Sequence, residues 1–206
     1  MGDLVSLSER LADRTRAPQA SVSVFFAPGC PISYLVAERV ERILGEVDWI
    51  PVLSLGGVTD ELLAEACAQA RALRLPLQMP DDPSADPLPL TRAACLASQS
   101  GVGARFGLAA ARLIFCGGYE LDDPQVIEEA ADVAGLSVSA VRRAVAQDRF
   151  DPTLQATAAG LARHGVQVTP VIRVGQRWFQ GLQALPGTAI IAAVGELAGA
   201  PSQPVG

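Results

Sequence analysis

Phe25-Phe26-Ala27-Pro28-Gly29-Cys30-Pro31-Ile32-Ser33-Tyr34-Leu35 joins two patterns of different period. Val22, Val24 and Phe26 alternate as a strand does, and the run stops at Pro28-Gly29. From Cys30-Pro31 onward Leu35, Val36, Val40, Ile43 and Leu44 fall at helical spacing, with Gly45 as a stop, which predicts one helix over 31–44. Cysteine then takes the N-cap and proline the first helical position, where a missing N–H costs nothing. The free N–H groups and the positive end of the helix dipole face the sulfur, an arrangement that lowers a thiol pKa and favours thiolate at neutral pH. Cys30 is therefore expected as a reactive, ligand-facing thiol and not as the small core hydrophobe that a free cysteine usually is. No cysteine follows one turn on; Ser33 stands there, placed to hydrogen-bond the sulfur or a bound thiolate. A mixed disulfide on Cys30 would then need an external thiol for release.

Working outward, residues 21–26 form a first strand and the β-rich residues 47–53 a second, ended by Gly56-Gly57. Right-handed crossover makes these two strands parallel. From Thr59 to Gly165 the pattern is almost entirely helical, broken at Pro76, the 80–89 loop, Gly101-Val102-Gly103, Gly117-Gly118 and Gly135. Asp123-Pro124 and Asp151-Pro152 open helices, and Ser137 is the expected N-cap of another reaching Gln147. The β pattern resumes at 171–174, turns at Gly175-Gln176, returns over 177–180 and is followed by a helix over 189–197. The fold class is α/β, a β-α-β half and a β-β-α half separated by an all-helical insertion. Residues 20–57 and 165–198 make the sheet-bearing domain, 58–164 the insertion, and 1–19 an N-terminal helix (4–11) and linker.

Composition narrows the chemistry. The chain has 206 residues and a net charge of −6, which argues against a nucleic-acid face. Its acidic N-terminal residues do not read as a secretory signal, and no run of about 18 apolar residues suggests a membrane span. A cytoplasmic setting is the expectation, and the widely spaced Cys30, Cys67, Cys95 and Cys116 do not suggest a disulfide framework. The last three fall in apolar helical patterns and are expected as core thiols. One histidine, His164, leaves little for a metal site or a histidine-based triad, and it is expected to cap a helix C-terminus. The segment 101–107 has the wrong spacing for a dinucleotide loop and is expected as a helix–helix turn. Asp81, Asp82 and Asp86, interleaved with prolines, read as a solvated connection, and Arg142-Arg143 as part of a solvated helix face.

Cys30-Pro31-Ile32-Ser33-Tyr34 resembles the Cys-Pro-x-Cys-Tyr active-site turn of DsbA-like thioredoxin-fold proteins. It is equally similar to the Ser-Pro-x-Ser-Tyr-Leu turn of 2-hydroxychromene-2-carboxylate isomerases and kappa-class glutathione transferases. Further matches are Leu53 to Gly57, Arg71 to Leu77, Asp86-Pro87-Leu88, Gly165-Val166-Gln167-Val168-Thr169-Pro170 and Trp178-Phe179-Gln180-Gly181-Leu182-Gln183. The resemblance implies a thioredoxin-like fold with a helical insertion and a cis Thr169-Pro170 bond facing Cys30, whose backbone would pair with an extended thiol peptide. It also implies thiol or substrate contacts from Pro31, Tyr34, Thr169, Pro170, Leu182 and Gln183, and a homodimer; Tyr34 is expected more for packing than for catalysis. Two departures are informative: Ser33 replaces the resolving cysteine, and Gln183 and Ala184 stand where the family carries an acid and an arginine.

Three functions are consistent with this reading. The first is an oxidoreductase-like enzyme in which Cys30, helped by Ser33, forms mixed disulfides with a small thiol or a peptide disulfide. The second is an isomerase or transferase using glutathione or another low-molecular-weight thiol on an aromatic-derived substrate, with Cys30 in the place of a hydroxyl donor. The third is a non-catalytic binding module. No permanently bound cofactor and no metal is expected in any of them.

Overall fold

The computed structural model describes residues 22–57 and 59–199; the helix and linker expected over 1–19 lie outside the described residues. The chain runs β1 (Val22–Phe26), α1 (Pro31–Ala37), α2 (Val40–Leu44) and β2 (Asp48–Pro51). Six helices follow: α3 (Asp60–Leu73), α4 (Leu88–Gln99), α5 (Gly103–Gly117), α6 (Pro124–Ala134), α7 (Val138–Ala146) and α8 (Asp151–Arg163). The hairpin β3 (Val171–Val174) and β4 (Arg177–Gln180), a 3-10 turn (Gly181–Ala184) and α9 (Thr188–Gly199) complete it. The sheet order is β2-β1-β3-β4, with β1 parallel to β2 and antiparallel to β3, and β3 antiparallel to β4.

The alternation in β1 places its side chains on two faces, and both faces are covered. Val22, Val24 and Phe26 join the main core with α1 and α5, whereas Phe25 packs with Val52, Leu161, Val166 and Val171 on the other side. Leu161 belongs to α8, so the last helix of the insertion closes the second face of the sheet. All five residues of β1 are buried as a result.

The insertion is fastened to α1 through α5, where Phe106 and Phe115 are fully buried. Gly107 lets Phe26 lie directly on that helix: a Cβ there would sit 2.9 Å from Phe26 Cε2 and 3.3 Å from Cζ. Gly107→Ala gains about 1 kcal/mol of helix propensity, but displacing a packed ring costs about 1–3 kcal/mol. A net loss of stability in urea titration is therefore expected; a more stable variant would mean the ring has room to move.

The sequence predicts a single helix over 31–44, and the structure divides it at Glu38-Arg39. The Arg42 side chain donates from Nε to the Glu38 carbonyl at 3.0 Å, taking the acceptor that a continuous helix reserves for the Arg42 backbone N–H. Arg112 of α5 holds the Glu38 carboxylate from two nitrogens at 2.6 and 2.8 Å. Side chains thus engage Glu38 on both its carbonyl and its carboxylate at the break, one of them from far away in sequence. β2 is shorter than the expected 47–53, although the Val52 N–H still donates to the Phe26 carbonyl at 2.9 Å. Ser137 occupies the N-cap position of α7, but its hydroxyl pairs with that of Ser139 at 2.9 Å and not with the helix backbone. Among the described residues no helix is long and apolar enough to cross a membrane.

Candidate functional site

Cys30 is the N-cap of α1, with extended φ and ψ of −98° and 123° and Pro31 following. Its N–H donates to the Ala27 carbonyl at 3.0 Å, which closes the turn leaving β1. Facing it is the loop before β3, where the Thr169-Pro170 peptide bond is cis. The Cys30 thiol donates to the Thr169 carbonyl across 3.8 Å.

That facing loop is pinned on every side. Gln180 Oε1 accepts from the backbone N–H of Gln167 at 2.9 Å and of Val168 at 3.4 Å. The Pro170 carbonyl accepts from the Gly181 N–H at 2.8 Å, and Thr169 Oγ1 accepts from the Leu55 N–H at 3.3 Å. Gly56, at φ +85°, allows the loop after β2 to approach, because a Cβ there would meet Val168 Cγ1 at 2.8 Å. The two loops flanking Cys30 are therefore locked to each other, and Thr169 is only 2 % exposed.

The electrostatics differ from the sequence expectation. Cys30 is 2 % exposed, and burial pushes its thiol above the ordinary value. The Ser33 N–H and hydroxyl, and the Ile32 N–H, pull the other way without offsetting that penalty. The helix terminus that lowers a thiol pKa is local to Cys30-Pro31; the desolvation arises from walls remote in sequence, Thr169 and Leu62 of the insertion among them. The thiol here is a proton-bearing donor. Ser33 Oγ accepts the Ala27 N–H at 3.1 Å, so the hydroxyl also ties the end of the strand to the helix.

Two adjoining cavities open at this point. One of about 190 Å³ is lined by Cys30, Leu55, Gly56, Leu62, Val168 and Thr169. The other, about 350 Å³, reaches from Pro28 and Gly29 to Leu63, Leu121, Asp60 and Pro83. Ser54 and Gly57 line both. The Asp- and Pro-rich segment, expected as a solvated connection, supplies a wall of this second chamber through Pro83, Ser84, Ala85 and Pro87. Glu120 accepts the backbone N–H of Asp81 at 2.9 Å and of Asp82 at 3.1 Å, and this holds the segment across the turn.

The remaining candidates separate. Pro31 is buried at the first position of α1. Tyr34 is 1 % exposed and points away from the cavities: its hydroxyl donates to the Pro76 carbonyl at 2.9 Å, and its ring stacks on Phe115 with centroids 5.7 Å apart. Leu182 and Gln183 lie on the exposed 3-10 turn and line neither cavity. His164 ends α8, with its ring stacked on Trp178 at 4.6 Å. Of the three expected core thiols, Cys95 is buried and Cys67 half-buried; Cys116, in the last turn of α5, is exposed, although its sulfur reaches the Tyr34 hydroxyl at 3.3 Å. Among the described residues no cluster of metal-ligating side chains occurs.

Residues 21–190 match the family model described as a DSBA-like thioredoxin domain. Among solved structures, the fold is similar to that of a probable DsbA oxidoreductase of Streptomyces coelicolor, at 20% identity and a TM-score of 0.72, covering 90% of this chain and 92% of that one. It is also similar to a 2-hydroxychromene-2-carboxylate isomerase, at 15% identity and a TM-score of 0.69, covering 85% of this chain and 95% of that one. No curated protein matches the chain significantly in sequence.

Proposed function

We propose, from the premise that this chain belongs to the DSBA-like thioredoxin family, that it performs thiol–disulfide exchange through Cys30 alone. One observation carries the reading: the N-capping sulfur faces the Thr169 carbonyl at 3.8 Å, and both residues line one cavity of about 190 Å³. Cys30 gives up its proton to solvent and attacks a disulfide sulfur; a new S–S bond forms, and the displaced thiolate leaves and is protonated. Ser33 has no sulfur with which to resolve this intermediate, so a second external thiol must attack it and free Cys30.

Burial sets the pH behaviour. Because the Cys30 thiol is held above its ordinary value, the thiolate is a minor form at neutral pH. Its alkylation by iodoacetamide is therefore expected to be slower than that of a free thiol at pH 7, and still to be rising with pH at about 9. The stability linkage has the same sign. The folded thiol keeps its proton where the unfolded one has lost it, so this contribution is intact below the ordinary thiol pKa and lost as pH climbs beyond it. Peptide mass analysis, which separates Cys30 from the exposed Cys116, checks the rate; a plateau below pH 8 would contradict it.

A second reading is favoured by the thiol's role as a donor to Thr169. In it Cys30 stays protonated and hydrogen-bonds the sulfur of a bound thiol cofactor, whose thiolate acts on the substrate, as in a thiol-dependent isomerase or transferase. The deciding experiment is incubation with low-molecular-weight disulfides followed by intact-mass and peptide analysis. An adduct on Cys30 that a second thiol removes supports exchange; a protein that never carries one points to the donor role, or, if no thiol-dependent turnover occurs either, to a binding module.

A further inference from the structure

The cavity that Cys30 lines, about 190 Å³ in volume, is walled by Leu55, Leu62 and Val168 and by the hydroxyl residues Ser54, Thr59 and Thr169. Among the described lining residues none carries a formal charge. Two of the hydroxyl oxygens are already engaged with backbone: Thr59 Oγ1 accepts the Leu62 N–H at 3.2 Å, and Thr169 Oγ1 the Leu55 N–H at 3.3 Å. A charged group seated beside the sulfur would shed part of its hydration and meet no counter-ion, whereas an apolar group would cover aliphatic side chains. The size of the cavity is fixed by the fold. Val168 is wedged between Gly56 and Gly181, where an added Cβ would meet its methyl groups at 2.8 and 3.0 Å. An apolar cavity of about 150 Å³ holds benzene, so this one takes a group of about six to eight non-hydrogen atoms.

Resting on the exchange reading above, we infer that this cavity seats one half of the exchanged disulfide and selects small uncharged thiols, with Leu62 and Val168 as the residues that set the preference. The class is a short alkyl group or a single aromatic ring on sulfur. In the exchange step one R–S unit becomes bonded to Cys30 with R in the cavity, while the other leaves as thiolate and takes a proton from solvent. The protein's net charge of −6 would by itself favour a cation at an exposed thiol. A neutral optimum is therefore a property of the cavity and not of long-range steering.

The test uses methanethiosulfonates, which transfer an R–S unit and share one leaving group whatever the charge of R. The Cys30 thiolate attacks the sulfur bearing R, the bond from that sulfur to the sulfonyl group breaks, and methanesulfinate departs with the electron pair. Adduct formation on Cys30 is read by peptide mass analysis and divided by each reagent's rate with 2-mercaptoethanol. From methyl to propyl the normalised rate is expected to rise about tenfold, as two methylenes enter apolar surroundings. The aminoethyl and sulfonatoethyl reagents should each be at least about tenfold slower than propyl, the sulfonate slowest. Burial that merely restricts access makes methyl the fastest; that order, or a charged reagent within about threefold of propyl, would overturn the assignment. Leu62→Ala should cut the propyl-to-methyl ratio to about threefold. Val168→Asp, at a residue 36 % exposed, should lift the aminoethyl reagent above propyl, and uncharged Val168→Asn should not. Ratios unchanged in Leu62→Ala and in Val168→Asp would also overturn the assignment, as would failure of every reagent to label Cys30. Dipropyl disulfide tests the parent reading separately. If it leaves no adduct while the methanethiosulfonate order holds, exchange fails and the neutral seat stands.

Discussion

Cys30→Ala is expected to take adduct formation at the turn, and any thiol-dependent turnover, to background. It is the largest functional effect any single substitution in this chain should produce. Cys30 is only 2 % exposed, and its sulfur meets only weak hydrogen-bond partners: the Thr169 carbonyl at 3.8 Å and the Ser33 and Ile32 groups at the start of α1. Its removal should therefore cost only about 1 kcal/mol of stability, through a small void and a lost weak donor. Loss of activity with a nearly unchanged melting temperature separates a chemical role from a structural one. Cys30→Ser then distinguishes the two catalytic readings. A hydroxyl cannot form a mixed disulfide, so exchange fails as completely as in the alanine variant. A hydroxyl is, however, a better donor than a thiol, so a cofactor-dependent reaction would retain much of its rate. Full exchange in either variant would remove Cys30 from the mechanism.

Phe115→Ala is expected to have the largest effect on stability. The ring is fully buried on α5 and stacks on Tyr34, joining the insertion to α1. Truncating such a residue costs about 3–5 kcal/mol, cavity included, against a total stability of about 5–15 kcal/mol. Tyr34→Phe is the matched control. It keeps the ring contact but leaves the Pro76 carbonyl without its 2.9 Å donor, for a loss of about 1–2 kcal/mol. Urea titration of both variants measures the difference. A loss below about 1 kcal/mol for Phe115→Ala would mean that the insertion is held to α1 mainly by other contacts.

Much of the fold was legible because it is written locally. The turn from β1 into α1, the Gly175-Gln176 hairpin and the Asp123-Pro124 helix start each depend on residues within a few positions, and these coincide with the structure. What local reading could not supply came from partners distant in sequence. Arg112, which holds the Glu38 carboxylate at the break in the helix, is 74 residues away. The environment of Cys30 shows the same limit: the helix terminus that favours a thiolate is visible in Cys30-Pro31, whereas the wall that desolvates the sulfur stands 139 residues away at Thr169. Cys116 carries the same apolar periodicity as buried cysteines, and nothing in its neighbours says that the helix face there is left open. The larger chamber is not legible locally because its lining comes from segments distant in sequence, from Pro28 to Leu121, that only the fold brings together.

The hydrogen bond from the Ala27 N–H to Ser33 Oγ bears on how this turn can change over evolutionary time. A chain with sulfur at position 33 would be able to close its own disulfide, but sulfur is a weaker and longer-reaching acceptor than oxygen. The end of β1 would be held less firmly to α1 in the same step that supplied a second thiol. A single substitution at position 33 thus exchanges an anchor of the turn for a resolving group, and Ser33→Cys is expected to lose stability as it gains a second sulfur.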